Sequence, residues 1–279
     1  MKKYDLLILV VMLISCTKAP IDSFSLKVRY LPQTNYNYSS EQTIHSEITY
    51  SGKEKSLKEL KKRGIQNPTV INKNSTTGAI IRTGKLEEDH SEFPVKVEYT
   101  SVVTNNGIKA APVNAVFHGK CFTDSIPVFD VAVANTMDKQ SKMHLLESWQ
   151  QSISQFSFAS HKLKVGEEYV TKEPSAIPME GSMIDMMVTT SYKLTSIKNN
   201  IADFDISQQY ALNPKLLDNS FQGTVKGHGH LVYDIEHSMV MNHTLDTEME
   251  LIKKLDSFEF HLKTNHHVVQ KTSIGNNSK

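Results

Sequence analysis

The chain has 279 residues, with 31 basic and 30 acidic side chains and a formal net charge of +1. That balance supplies no electrostatic pull toward nucleic acid or an anionic membrane surface, so neither is expected to be recognised through charge. The length allows one large all-β domain or two smaller ones, each able to bury a core.

Met1-Lys2-Lys3-Tyr4-Asp5 precedes a nine-residue apolar run from Leu6 to Ile14, followed by Ser15 and Cys16. A basic start, an apolar stretch and a small residue at the cleavage point are the parts of a secretory signal peptide. The run is less than half of the ~20 residues that a spanning helix needs. Leu13-Ile14-Ser15-Cys16 resembles the lipobox of bacterial lipoprotein signals. The resemblance implies cleavage of residues 1–15, a diacylglycerol thioether on Cys16, and an acyl chain such as palmitate on the new amino group. Two or three acyl chains hold a protein at a membrane stably, where one does so only marginally. The alternative is an ordinary signal peptide that ends by chance in a cysteine. Thr17-Lys18-Ala19-Pro20-Ile21 places no acid before Asp22, which by the same resemblance points to the outer membrane of the cell envelope, facing the periplasm.

Losing 15 residues leaves 264, and with Lys2, Lys3 and Asp5 gone the charges balance at 29 basic and 29 acidic. Cys121 is then the one unmodified cysteine, which excludes an intrachain disulfide. Its apolar setting (Ala115-Val116-Phe117, then Phe122) reads as that of a buried small hydrophobe.

Residues 16–23 form the lipidated cysteine and a tether. A β-rich half follows over 24–135. Phe24, Leu26, Val28 and Tyr30 alternate with polar neighbours as a half-buried strand does. Tyr36–Tyr50 continues as one long strand or a hairpin, and Ser56–Gly64 reads as a short helix with a serine start and a glycine stop. Strands are expected over Thr69–Ile71, Gly78–Thr83, Val95–Thr104, Val113–Thr123 and Pro127–Val133, with a hairpin turn at Asn105-Asn106-Gly107. An amphipathic helix occupies 136–157, where Met143, Leu146, Trp149, Ile153 and Phe156 recur every three or four residues. It reads as a core helix packed on a sheet, or as a lid over a hydrophobic cavity. The segment 158–270 is expected to be an antiparallel meander. It contains Leu163–Tyr169, a Pro/Met-rich loop from Pro174 to Gly181, and strands at Met183–Ser196, Ile201–Tyr210, Gly223–Ile235, Ser238–Ile252 and Phe258–Val269, with Asn199-Asn200 turning the first pair. Residues 271–279 read as a flexible tail. The fold class is mainly β (α+β), with curved or partly closed antiparallel meander sheets around a central amphipathic helix.

Seven of the twelve histidines follow residue 227. His228-Gly229-His230 stands out, because alternate strand residues share a face and two imidazoles at that spacing can share a divalent metal. His261 would complete such a site, and solvated strand histidines are the plainer reading. Unbranched methionines line adaptable apolar pockets as well as ordinary cores. Met183, Met187, Met239 and Met241, with Trp149, are the candidate lining of a hydrophobic-ligand pocket. No serine nucleophile elbow, phosphate-cradling glycine loop or His-Glu-X-X-His motif is present, so no catalytic residue is assigned and a non-enzymatic role is expected.

Leu163-Lys164-Val165-Gly166-Glu167-Glu168-Tyr169, with Gly227-His228-Gly229 and Tyr233-Asp234, resembles uncharacterised secreted lipoproteins that carry an L-K-V-G-E-x-Y strand after a helix. In architecture the chain is similar to LolA/LolB-type lipid carriers, whose curved antiparallel sheet holds helices in its concavity. These resemblances imply a lipid-anchored envelope protein that binds a hydrophobic ligand or an envelope protein partner. The alternatives are a metal-dependent envelope enzyme built on His228 and His230, and a structural surface scaffold.

Overall fold

A computed structural model describes residues 23–87, 91–105, 115–134, 137–179, 182–212, 221–254 and 257–275. The signal segment, Cys16 and the Asn105-Asn106-Gly107 turn beyond its first residue therefore lie outside the described residues. The chain order is β1 (Ser23–Leu26), β2 (Asn35–Gly52), α1 (Glu54–Lys62), β3 (Thr69–Thr83), β4 (Glu92–Thr104), β5 (Val116–Phe122), β6 (Val128–Val133) and α2 (Lys139–Ser154). It continues with β7 (His161–Lys164), β8 (Glu168–Met179), β9 (Ser182–Lys198), β10 (Ile201–Leu212), β11 (Phe221–Asp234), β12 (Met239–Lys254) and β13 (Phe258–Gly275).

Eleven strands form one antiparallel sheet in the order β6-β5-β4-β3-β2-β13-β12-β11-β10-β9-β8, and β1 pairs separately with β7. The two expected halves are thus two meanders that share one sheet. The first strand of one pairs with the last strand of the other, from Asn35↔Gly275 to Gly52↔Phe258. This pairing carries β13 to Gly275, five residues into the expected tail. The polar sequence after Lys271 reads as frayed only while its partner in β2 is unknown.

Strand pairing also replaces the expected Pro/Met-rich loop. Pro174–Met179 continues β8 and pairs with Ser182–Met187 of β9. Both prolines fit because β8 is an edge strand, where a missing N–H need not face a partner. Thr69–Ile71 and Gly78–Thr83 merge into β3, whose polar middle pairs with the equally polar middle of β2. Asn199 and Asn200 both take positive φ, at 51° and 63°, the conformation a two-residue type I′ hairpin demands. In α1 the glycine stop holds: Gly64 has φ +78° and its N–H reaches Lys61 O, while Ile65 N–H reaches Leu60 O.

The sheet is open, ending at β6 and β8. Its seven strands from β2 to β8 would span about 29 Å if flat. Residues from all seven line one cavity, so the sheet curls around it. On the concave side, Phe24 of β1 stacks on Tyr233 of β11 at 5.3 Å and meets Phe204 of β10 edge-on at 6.1 Å. The convex side is a ladder of cross-strand ion pairs, Lys226–Glu248 (3.0 Å) and Lys263–Glu250 (3.1 Å) among them.

Helix α2 and then β7 lie in the chain between the two edge strands of the sheet, β6 and β8. Asp138 caps it by accepting from Ser141 N–H at 2.9 Å. Its Gln150 closes the open edge of β6, accepting from Phe129 N–H and donating to Pro127 O, both at 3.1 Å. Of the expected apolar stripe only Trp149 and Ile153 are buried; Leu146 and Phe156 are half-buried, and Met143 is 52% exposed. The indole of Trp149 stacks on Phe117 and meets Tyr38 and Tyr99 edge-on at 5.2 and 5.7 Å. No helix among the described residues is long and apolar enough to cross a membrane.

Candidate functional site

The concave face holds a cavity of about 900 Å³, near the upper end of the ~300–1,000 Å³ typical of ligand sites. Strand register fixes how its floor is laid out, because paired residues lie side by side and alternate residues share a face. One row crosses six strands as His266↔Thr247, Thr247↔Gly227, Gly227↔Gln208, Gln208↔Thr190 and Thr190↔Thr171. This row is a belt of neutral hydrogen-bonding groups. On one side the neighbouring row contributes Val268, Leu245 and Tyr192; on the other lie Met249, Val225 and Val188. At its centre the floor is thus apolar, polar and apolar again along the strands, with Thr264 and Glu173 at the two ends of the Met249 row.

Gln208 Nε2 donates to Thr190 Oγ1 at 3.1 Å, and the Tyr210 hydroxyl donates to Gln208 Oε1 at 2.6 Å. At the helix end a second network closes the cavity. Gln270 Oε1 accepts from Gln155 Nε2 at 3.1 Å and lies 2.9 Å from His243 Nδ1, while Gln270 Nε2 donates to the Tyr38 hydroxyl at 3.1 Å. Burial holds the His243 imidazole below the ordinary histidine value, against a smaller upward pull from Gln270. Burial also lowers His266, and neighbouring His267 adds to it. The Nε2 atom of His266 is shielded from solvent and has no hydrogen-bond partner among the described residues.

The wall opposite the floor belongs to α2, and it is polar. Ser148, Gln151, Ser152 and Gln155 line the cavity, while Trp149 points into the aromatic cluster on the other side of the helix. The helix therefore turns polar side chains to the cavity, because the aromatic cluster beneath β4 and β5 takes up Trp149.

None of the candidate pocket residues Trp149, Met187, Met239 and Met241 lines this cavity. Met187 alternates with the inward Met186 and is 42% exposed. Met239 is buried beside Tyr233 in the main core, and Met241 is the extra residue of a bulge, since Val232 pairs with Asn242 but Tyr233 with Val240. The Met183 side chain lies outside the described residues. The methionine that does reach the cavity is Met249.

His228 and His230 lie on the opposite, convex face. His230 sits 3.5 Å from Asp203 and 3.8 Å from Asp205. His261 is not brought to them. His228 aligns with Asp246 and through it with His267, six residues along β13 from His261, or about 20 Å at 3.3 Å per residue. Among the described residues no three His, Cys, Asp or Glu side chains are grouped as a metal ion requires. Gly229 owes its place to packing: a Cβ there would stand 2.0 Å from Thr244 O. Cys121 is fully buried, and burial pushes its thiol up to about 11, away from nucleophilic use.

Sequence reading missed His243, His266, Gln208 and Gln270 as a group. The available signal was parity, since His266 is inward on the strand where His261 and His267 are not. Only the register of β12 with β13 reveals it. No protein-family model matches the chain, and no curated protein matches it.

Proposed function

We propose that this chain is a lipid-anchored cell-envelope protein that binds a hydrophobic ligand in the cavity of its curved sheet. The observation that carries the reading is the cavity itself: about 900 Å³, walled by seven strands and one helix, with apolar side chains on both sides of its polar belt. Mixed lining of this kind suits a ligand with an apolar body and a few oriented polar groups. The anchor rests on Leu13-Ile14-Ser15-Cys16 and its likeness to a lipobox. The outer membrane, on its periplasmic side, is the proposed location. The reading is non-enzymatic: His243 bonds the Gln270 amide, and the shielded Nε2 of half-buried His266 has no hydrogen-bond partner, so among the described residues neither is paired with a nucleophile.

Native mass spectrometry of the purified chain after detergent removal tests the ligand. A retained lipid mass, or stoichiometric uptake of a fluorescent fatty acyl probe, is expected. A clean apo mass together with no uptake rules out this reading. The anchor is tested separately, because Cys16→Ala moves the chain from the membrane fraction to the soluble fraction if Cys16 carries the lipid.

A further inference from the structure

The cavity floor constrains the chemistry of its occupant beyond hydrophobicity, and the constraint rests on the ligand-binding reading above. Neither lysine nor arginine lines the cavity among the described residues, and its one carboxylate is Glu173. An anionic headgroup drawn inside would lose its water without a cation to replace it, and would lie near a like charge. A pure hydrocarbon fails for the opposite reason. It would cover the orphaned Nε2 of His266, and the donor capacity of Thr190, whose oxygen already accepts from Gln208, without offering either a partner. Between Thr247 and Gln208 the belt has Gly227, over which the Gln208 side chain lies, its Oε1 3.0 Å from where a Cβ would stand. Ser148, Gln151, Ser152 and Gln155 line the same cavity from α2 and add further neutral donors and acceptors.

We infer that the ligand is an uncharged, hydroxyl-bearing amphiphile of the acylated-alcohol class. Its polar group seats on the His266–Thr247–Gln208–Thr190 belt, and its acyl chain runs over Val225, Val188 and Met249. The belt lies midway along the strands, so the polar group seats mid-floor while the chain extends away from the Gln155–Gln270 contact that closes the helix end. The half-buried imidazole of His266, with its Nε2 shielded from solvent, suits this role, since it can hydrogen-bond an alcohol without demanding a counter-charge.

Monooleoylglycerol and oleate share one acyl chain and differ in the polar end, so a competition between them at mildly alkaline pH isolates the headgroup. The full chain is titrated with both, and with diphenylhexatriene as a probe that has no polar group. Monooleoylglycerol is expected to bind about tenfold more tightly than oleate. Thr190→Val combined with His266→Phe should remove most of that preference and strengthen diphenylhexatriene uptake, because a hydrocarbon then covers fewer polar groups, while Thr190→Ser, which keeps the hydroxyl, retains the preference. Equal affinity for the two, a preference for oleate, or indifference to the paired substitution overturns the inference and leaves the cavity reading intact. Failure of all three probes to bind removes the cavity reading itself, and this inference with it.

Discussion

His243 occupies a position where its charge state and the fold are coupled. The imidazole is 5% exposed and bonded to Gln270, and burial keeps its pKa below the ordinary 6.5. Between 6.5 and that lowered value the unfolded chain binds a proton that the folded chain does not. Stability therefore falls as the pH drops through this window, and the group contributes no slope above it. The slope is at most about 1.4 kcal/mol per pH unit. Thermal melts from about pH 8 to about pH 5 should show a falling midpoint in the native chain. His243→Gln, which keeps a hydrogen-bonding group, should flatten the acid side of the curve. An unchanged curve would mean that His243 is protonated within the fold. None of this coupling was legible in the sequence. His243 looked like one of seven clustered histidines, and only its pairing opposite Gln270 distinguishes it.

Elements show why some readings succeeded and others did not. Local signals sufficed for the Asn199-Asn200 hairpin, the Gly64 helix stop and the five-strand C-terminal meander, since each depends on neighbours a few residues away. Long-range partners decided the rest. Edge position turned Pro174–Met179 into strand, and β2 turned the tail into the end of β13. The His228-Gly229-His230 motif is the instructive case: its periodicity placed both histidines on one face correctly, but the reason for the glycine is the Thr244 carbonyl on the other. Gly229→Ala should cost about 1–3 kcal/mol through overpacking. His228→Ala, on the exposed convex face, should stay within about 0.5 kcal/mol of the native chain. Urea midpoints of the two variants provide the check, and a larger loss from His228→Ala would show that the convex histidines hold structure that the packing does not reveal.

At the scale of the whole molecule, two meanders joined through β2 and β13 curl one sheet far enough for seven strands to wall a common space. The polar face of α2 closes one side of it, and the aromatic cluster around Trp149 fixes that helix in place. A lipid on Cys16 would hold this cavity within tether reach of a membrane, where amphiphiles are found. The central claim is that the cavity is the place of binding. Thr247 sits mid-floor on β12 and is only half-buried, so a tryptophan there projects into the space while the strand keeps its register. Titration of the native chain and of Thr247→Trp with the same fluorescent acyl probe is therefore the most direct measurement. The account predicts one probe bound per native chain and binding lost in a variant that still melts cooperatively. Undiminished binding by a folded Thr247→Trp chain would place the ligand elsewhere and contradict it.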